Sequence, residues 1–247
     1  MQRNRSLPRT LIGMLTPSSN TALEPITTMM LAGVPGVTAH FGRFRVTQIA
    51  LNDRALKQFD DSNILTAAEL LNDAELDVIA WNGTSSGWLG FESDELLCRR
   101  ITERTGVPAG TSVLALNEIF RATGVTRFGL VTPYTDDVQS RIVANYARHG
   151  FECVAERHLG LSHNFSFSEV TDDQLRTMIR AVAQSRPQAI TTFCTNLHAM
   201  RVVEEMEQET GIPIYDTIAT VLWKCLKITG VDPARVKGWG RLFREVK

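Results

Sequence analysis

The chain is written twice, and this duplication limits the folds open to it more than any other feature. "LIGMLTPSSN" (Leu11 to Asn20) resembles "RFGLVTPYTD" (Arg127 to Asp136), with Gly13, Thr16 and Pro17 repeated as Gly129, Thr132 and Pro133. "ERTGVP" (Glu103 to Pro108) resembles "QETGIP" (Gln208 to Pro213), and between those pairs lie "NGTSS" and "CTNLH", in the same order in each half. Self-similarity in a fixed order is the mark of repeated supersecondary units. Two similar lobes are expected.

Each half alternates strand-length apolar runs with amphipathic segments of helix length: "DVIAWNG" before "ESDELLCRRITERTG", "RFGLVTP" before "DDVQSRIVANYARHG" and "QAITTFCTN" before "LHAMRVVEEMEQETG". This alternation reads as parallel sheet covered by helices, so the expected class is α/β: two pseudo-symmetric lobes, each a parallel sheet with helices on both faces. In open α/β sheets ligands sit beyond the carboxyl ends of the strands. The loops "TPSSNT", "NGTSSG", "TPYTDD" and "CTN" all fall there, and two facing lobes would gather them around one cleft.

A chain of 247 residues with 43% hydrophobic residues can bury a sizeable core as one large domain or two small ones. Its formal net charge of −1 argues against nucleic acid, whose phosphates demand a clustered Lys/Arg excess. No apolar run reaches membrane-spanning length, and no signal-peptide core follows the basic first residues, so a cytoplasmic protein without membrane contact is expected. The four cysteines, Cys98, Cys153, Cys194 and Cys225, show neither disulfide nor zinc spacing. Neither a metal nor a cofactor is expected.

The loops carry the chemistry. In "TPSSNT", Ser18, Ser19, Asn20 and Thr21 are helix-capping types that also suit an anion, with free backbone N–H groups behind them. "NGTSSG" offers Thr84 and Ser85 between two glycines and lacks both the Walker and the dinucleotide patterns, so a carboxylate fits better than a nucleotide. Tyr134 is a phenolic donor at a strand end, while Asp136 and Asp137 complement the dipole of the helix that follows. Cys194, at a strand end before a helix, is the reactive candidate. Cys98 and Cys225 read as helix-face residues and Cys153 as the start of a strand, and His198 has no assigned role.

Taken together, the paired α/β lobes, the "PSSNT" loop and the matched loop motifs resemble the aspartate/glutamate racemase superfamily, and within it the branch of maleate cis-trans isomerases and arylmalonate decarboxylases. The resemblance implies flavodoxin-like lobes around a central active site. It also implies that the C-terminal segment returns to the first lobe, which would comprise residues 1–112 and 220–247, leaving 113–219 as the second.

Racemases of the superfamily flank the substrate with two cysteines, and maleate isomerases also carry two. Arylmalonate decarboxylases keep the second cysteine and have glycine at the first position, a pattern that Gly83 and Cys194 match, as do "GTS", "YTDDV" and "GWGRLF". "PSSNT" and "HNF" are closer to the isomerases, where the matching asparagines, Asn20 and Asn164 here, bind substrate. Arg43 and Arg45 fall where the decarboxylases line an apolar pocket. Arg43 would grip a second carboxylate bidentately if it reached the cleft.

One thiol facing a glycine disfavours proton exchange on two faces. It suits a cofactor-independent decarboxylase of a small malonate-type dicarboxylic acid, in which Thr84, Ser85, Tyr134 and the backbone near Thr195 stabilise an enediolate that Cys194 protonates. The alternatives are a maleate isomerase or an Asp/Glu-type racemase and, from another class, a two-lobed carboxylate sensor without turnover. The sequence leaves a homodimer open.

Overall fold

The computed structural model describes residues 9–51 and 61–247; the segment on which the signal-peptide expectation rests lies largely outside them. The first sheet contains β1 (Thr10–Pro17), β2 (Val37–Phe44), β3 (Val78–Trp81) and β4 (Ala109–Thr111), in the order β2-β1-β3-β4. The second contains β5 (Arg127–Thr132), β6 (Glu152–His158), β7 (Ala189–Thr192) and β8 (Ile214–Asp216), in the order β6-β5-β7-β8. Every pairing is parallel, and the two orders match strand for strand. The duplicated sequence has produced duplicated topology.

The repeated glycines make room for close packing. A Cβ on Gly13 would stand 2.4 Å from Leu76 Cδ1, and one on Gly129 would stand 2.2 Å from Val182 Cγ1. In each central strand the missing side chain lets an apolar residue from the covering layer settle against the backbone. The inner strands Val78–Trp81 and Ala189–Thr192 are buried throughout, as parallel strands with covered faces should be, while the edge strands β2 and β6 are partly exposed.

The helices that follow the last strand of each sheet cross over. Helix α1 (Ser112–Thr123) leaves β4 of the first sheet and sets Phe120 against Phe128, Tyr146, Phe151 and Tyr215 of the second half. Helix α2 (Thr217–Ile228) leaves β8 of the second sheet and lies on β3 and β4 of the first. Both begin with a side-chain cap at matching positions: Thr111 Oγ1 accepts from Leu114 N at 3.1 Å and Asp216 from Ile218 N at 2.8 Å. Such caps contribute about 1 kcal/mol each. The exchange leaves the carboxyl ends of the two sheets facing each other.

The chain's end ties the halves again. Trp223 donates its indole N–H to Val246 O at 2.9 Å, Arg241 N donates to Glu207 at 2.8 Å, and Arg235 donates to Pro35 O at 2.8 Å. Among the described residues no helix is long and apolar enough to cross a membrane.

Candidate active site

Each sheet reverses its strand order beside its central strand, β1 or β5, and the loops at these switch points meet. They enclose a cavity lined by Pro17, Val46, Ile49, Trp81, Gly83, Thr84, Ser85, Trp88, Tyr134, Asn164, Cys194 and Thr195. Its volume of about 20 Å³ is room for about one water molecule. Among the described residues no cationic side chain lines it.

Hydrogen bonds from both halves fix the walls. Thr84 Oγ1 lies 2.6 Å from the Tyr134 hydroxyl, and Thr195 Oγ1 donates to Asn82 O at 2.9 Å. Asn20 Nδ2 donates to Thr195 O at 2.9 Å, while Asn196 Oδ1 accepts from Thr21 N at 2.9 Å. Asn164 Nδ2 donates to Ser19 Oγ at 2.9 Å, and Asn196 Nδ2 donates to Asn164 O at 2.6 Å. Trp88 and Phe167 meet the Tyr134 ring edge to face, with centroids 5.4 and 5.5 Å away, and so hold the phenol in place.

The structure brings together seven of the ten residues singled out from the sequence: Gly83, Thr84, Ser85, Tyr134, Asn164, Cys194 and Thr195 all line the cavity. The other three stand behind it. Ser18 donates to Val46 O, and Asn20 spends its carbonyl on Ala22 N and Leu23 N at the start of the next helix. Arg43 corrects the expectation of a carboxylate clamp: its guanidinium donates to Ser18 O at 2.9 Å and Asn20 O at 3.0 Å and pairs with Glu24 at 2.6 Å. Its charge and donors are used to brace the loop. Arg45 and His198 are also absent from the lining.

Cys194 departs from expectation in a second way. The following helix (Met200–Thr210) does not begin until Met200, so a turn rather than a helix end faces the thiol, with Asn196 N 3.4 Å from Sγ. Burial pushes the thiol up to about 12, against the pull of the Asn196 N–H, the Tyr134 hydroxyl and the Leu197 N–H, and the nearby Asp216 charge adds to the rise. Desolvation wins over the local dipoles, and the group is a neutral thiol at ordinary pH. Tyr134 is likewise pushed well above its usual value, chiefly by burial, and stays a phenol. Both ionisable groups in the described lining, Cys194 and Tyr134, are therefore held neutral.

Sequence reasoning passed over the apolar half of the lining: Pro17, Val46, Ile49, Trp81 and Trp88. Trp81 and Trp88 bracket the "NGTSSG" loop and read as ordinary core residues. Among the described residues no cluster of three or more His, Cys, Asp or Glu is arranged to hold a metal ion.

Comparison with known proteins places this geometry. A family model described as arylmalonate decarboxylase matches residues 12–243. An arylmalonate decarboxylase of Bordetella bronchiseptica is 28% identical over 171 residues, covering 68% of this chain and 71% of that protein. A maleate isomerase of Geobacillus stearothermophilus is 23% identical over 227 residues, covering 87% of this chain and 90% of that protein. The solved structure of the maleate isomerase from Pseudomonas putida S16 superposes with a TM-score of 0.87 at 23% identity, over 96% of this chain and 99% of that one.

Proposed function

The chain belongs to the arylmalonate decarboxylase family, and from that premise we propose that it is a cofactor-independent decarboxylase of a small malonate-type dicarboxylic acid. The observation that carries this reading is the pairing of one buried neutral thiol, Cys194, with Gly83 in a cavity that no cationic side chain lines among the described residues. A neutral thiol is a proton donor first and a nucleophile only after ionisation.

In the proposed reaction one carboxylate of the malonate accepts hydrogen bonds from Ser85 and from the Thr84 and Tyr134 hydroxyl pair. The other lies among Pro17, Val46, Ile49 and Trp81, where a charge is poorly solvated and loss of neutral carbon dioxide is favoured. The carbon–carbon bond breaks, its electron pair enters the anchored carboxylate, and the resulting enediolate is stabilised by the same fixed donors. The Cys194 S–H then gives its proton to the carbon, and the thiolate recovers a proton from solvent. One donor on one face suffices for this sequence, and Gly83, at the position matching Cys194, offers no acid/base group for two-face exchange.

A second reading, isomerisation of maleate, is favoured by Asn164, which lines the cavity at the position read from the isomerase-like "HNF" stretch. Incubation in deuterium oxide with maleate, methyl-, hydroxy- and phenylmalonate and aspartate, followed by NMR, separates the two readings. A decarboxylated product carrying one deuterium, absent with Cys194→Ala, is the expected result. Fumarate from maleate without carbon dioxide, or full turnover by Cys194→Ala, overturns the proposal.

A further inference from the structure

Trp81 lines the same cavity as Cys194, and Gly83 is what makes room for its ring. Gly83 is not one of the glycines with a left-handed backbone, so its lack of a side chain serves space and not conformation. A Cβ at position 83 would stand 1.9 Å from Trp81 Cζ2, 2.3 Å from Cε2 and 2.6 Å from Cη2. These contacts are with a rigid ring. The indole is 1% exposed and packs against Phe44, with centroids 5.1 Å apart and planes tilted by 47°. It has little freedom to move aside.

The second half supplies the control. Trp81 pairs with Leu15 and Thr111, and Thr192 pairs in the same way with Val131 and Asp216, so positions 81 and 192 correspond, as do 83 and 194. Thr192 is small and its hydroxyl is bonded to Asp216 at 2.5 Å. Cys194 therefore has space for a side chain. In the first half the residue two places upstream is the largest available, and its ring lies over the backbone of position 83.

We propose that Trp81 is the specificity-determining residue of this site: its indole fills the volume in which a second acid/base side chain would stand, and sets the size of the group that the reacting carbon can carry. An indole edge neither gives nor takes a proton at neutral pH, so protonation is left to Cys194. The cavity of about 20 Å³ borders this ring, and shortening Trp81 enlarges it. The part concerning the reacting carbon rests on the decarboxylase reading; the part concerning space does not.

Two readouts on the full-length protein test the two parts separately. In a thermal-melt cycle, Gly83→Ala lowers the midpoint by about 4–8 °C beside Trp81 and by under about 2 °C beside Trp81→Leu, because the crowding has gone. Equal losses in both backgrounds overturn the steric claim. In kinetics, Trp81→Leu raises the ratio of kcat/KM for phenylmalonate over methylmalonate by about tenfold or more, whereas a ratio within about twofold of the native value overturns the specificity claim. A ring that only supported the fold would lower both rates together. If circular dichroism shows that the Leu variant fails to fold, Trp81→Phe, which keeps an aromatic ring on Phe44, takes its place in both measurements. If the native protein releases carbon dioxide from neither malonate, the decarboxylase reading falls, and the melt cycle still decides whether Trp81 excludes a side chain at position 83.

Discussion

Thr84 and Tyr134, 50 residues apart in the chain, bring their hydroxyl oxygens to 2.6 Å across the cleft, joining the loop after β3 to the loop after β5. The pair does two things at once. It links the two halves, and because one hydroxyl donates to the other, it leaves one polarised O–H to donate to a carboxylate in the cavity. Tyr134→Phe should therefore lower kcat/KM by about 100-fold, the usual cost of removing one preorganised donor to a developing oxyanion. Thr84→Val in the same background should add little, since the two hydroxyls act as a unit. Steady-state rates of product formation by NMR for the two single variants and the double check both statements; strictly additive losses would mean that the hydroxyls work independently.

The Arg43 guanidinium holds Ser18 O and Asn20 O and pairs with Glu24, with both side chains about one-third exposed. A partly exposed ion pair contributes at most about 1 kcal/mol, and the two bonds to carbonyls add a similar amount. Arg43→Ala should thus cost about 1–2 kcal/mol in urea unfolding and leave KM within about threefold. A tenfold rise in KM with unchanged stability would return Arg43 to the substrate.

How much was visible beforehand follows from what each signal depends on. The matched Gly13 and Gly129, and the order of the four loops, record local strand–turn–helix geometry, so the two lobes and the residues at the strand ends were legible. Arg43 was not, because its role depends on Glu24 and two backbone carbonyls that only the fold brings near. The setting of Cys194 differs from the reading for a similar reason: the helix after it could be read, but it begins only at Met200, and burial rather than a helix end keeps the thiol in the protonated state its proposed role requires. Trp81 escaped notice because an aromatic residue at the end of a buried strand looks like core, and its contact with Gly83 is a matter of ring placement.

Asp94 lies buried in the first turn of the helix Phe91–Thr105, and desolvation pushes its carboxyl up to about 6, with Thr111 and Ser86 pulling it partly back. The folded protein thus holds this proton more tightly than the unfolded chain, whose carboxyl titrates near 3.8. Its stabilising contribution is complete below pH 3.8 and is lost as pH rises through 6. Asp94→Asn should accordingly leave stability unchanged near pH 4 and raise it by about 1–3 kcal/mol at pH 8, read from denaturant midpoints at both values. Equal effects at the two pH values would show that the carboxyl does not titrate across this window.

The thiol of Cys194 sets the last expectation and bears most directly on the chemistry. Its value of about 12 in the folded protein stands above the 9.0 of an unperturbed thiol, with burial the main cause. Stability owed to this group is therefore complete below pH 9 and is lost as pH rises toward 12; Cys225, also held near 12 by burial, acts in the same direction. At pH 8 only about one Cys194 in 10,000 is a thiolate by the same arithmetic. Alkylation by iodoacetamide, followed by mass mapping of the peptide carrying Cys194, should then be at least about 100-fold slower in the native protein than in the unfolded chain, and should quicken about tenfold per pH unit up to pH 10. Fast alkylation at pH 7, slowed by a bound malonate, would mean a thiolate in the resting site. A thiolate cannot give a proton to an enediolate but can add to a double bond, so that outcome would move the assignment from decarboxylation toward isomerisation.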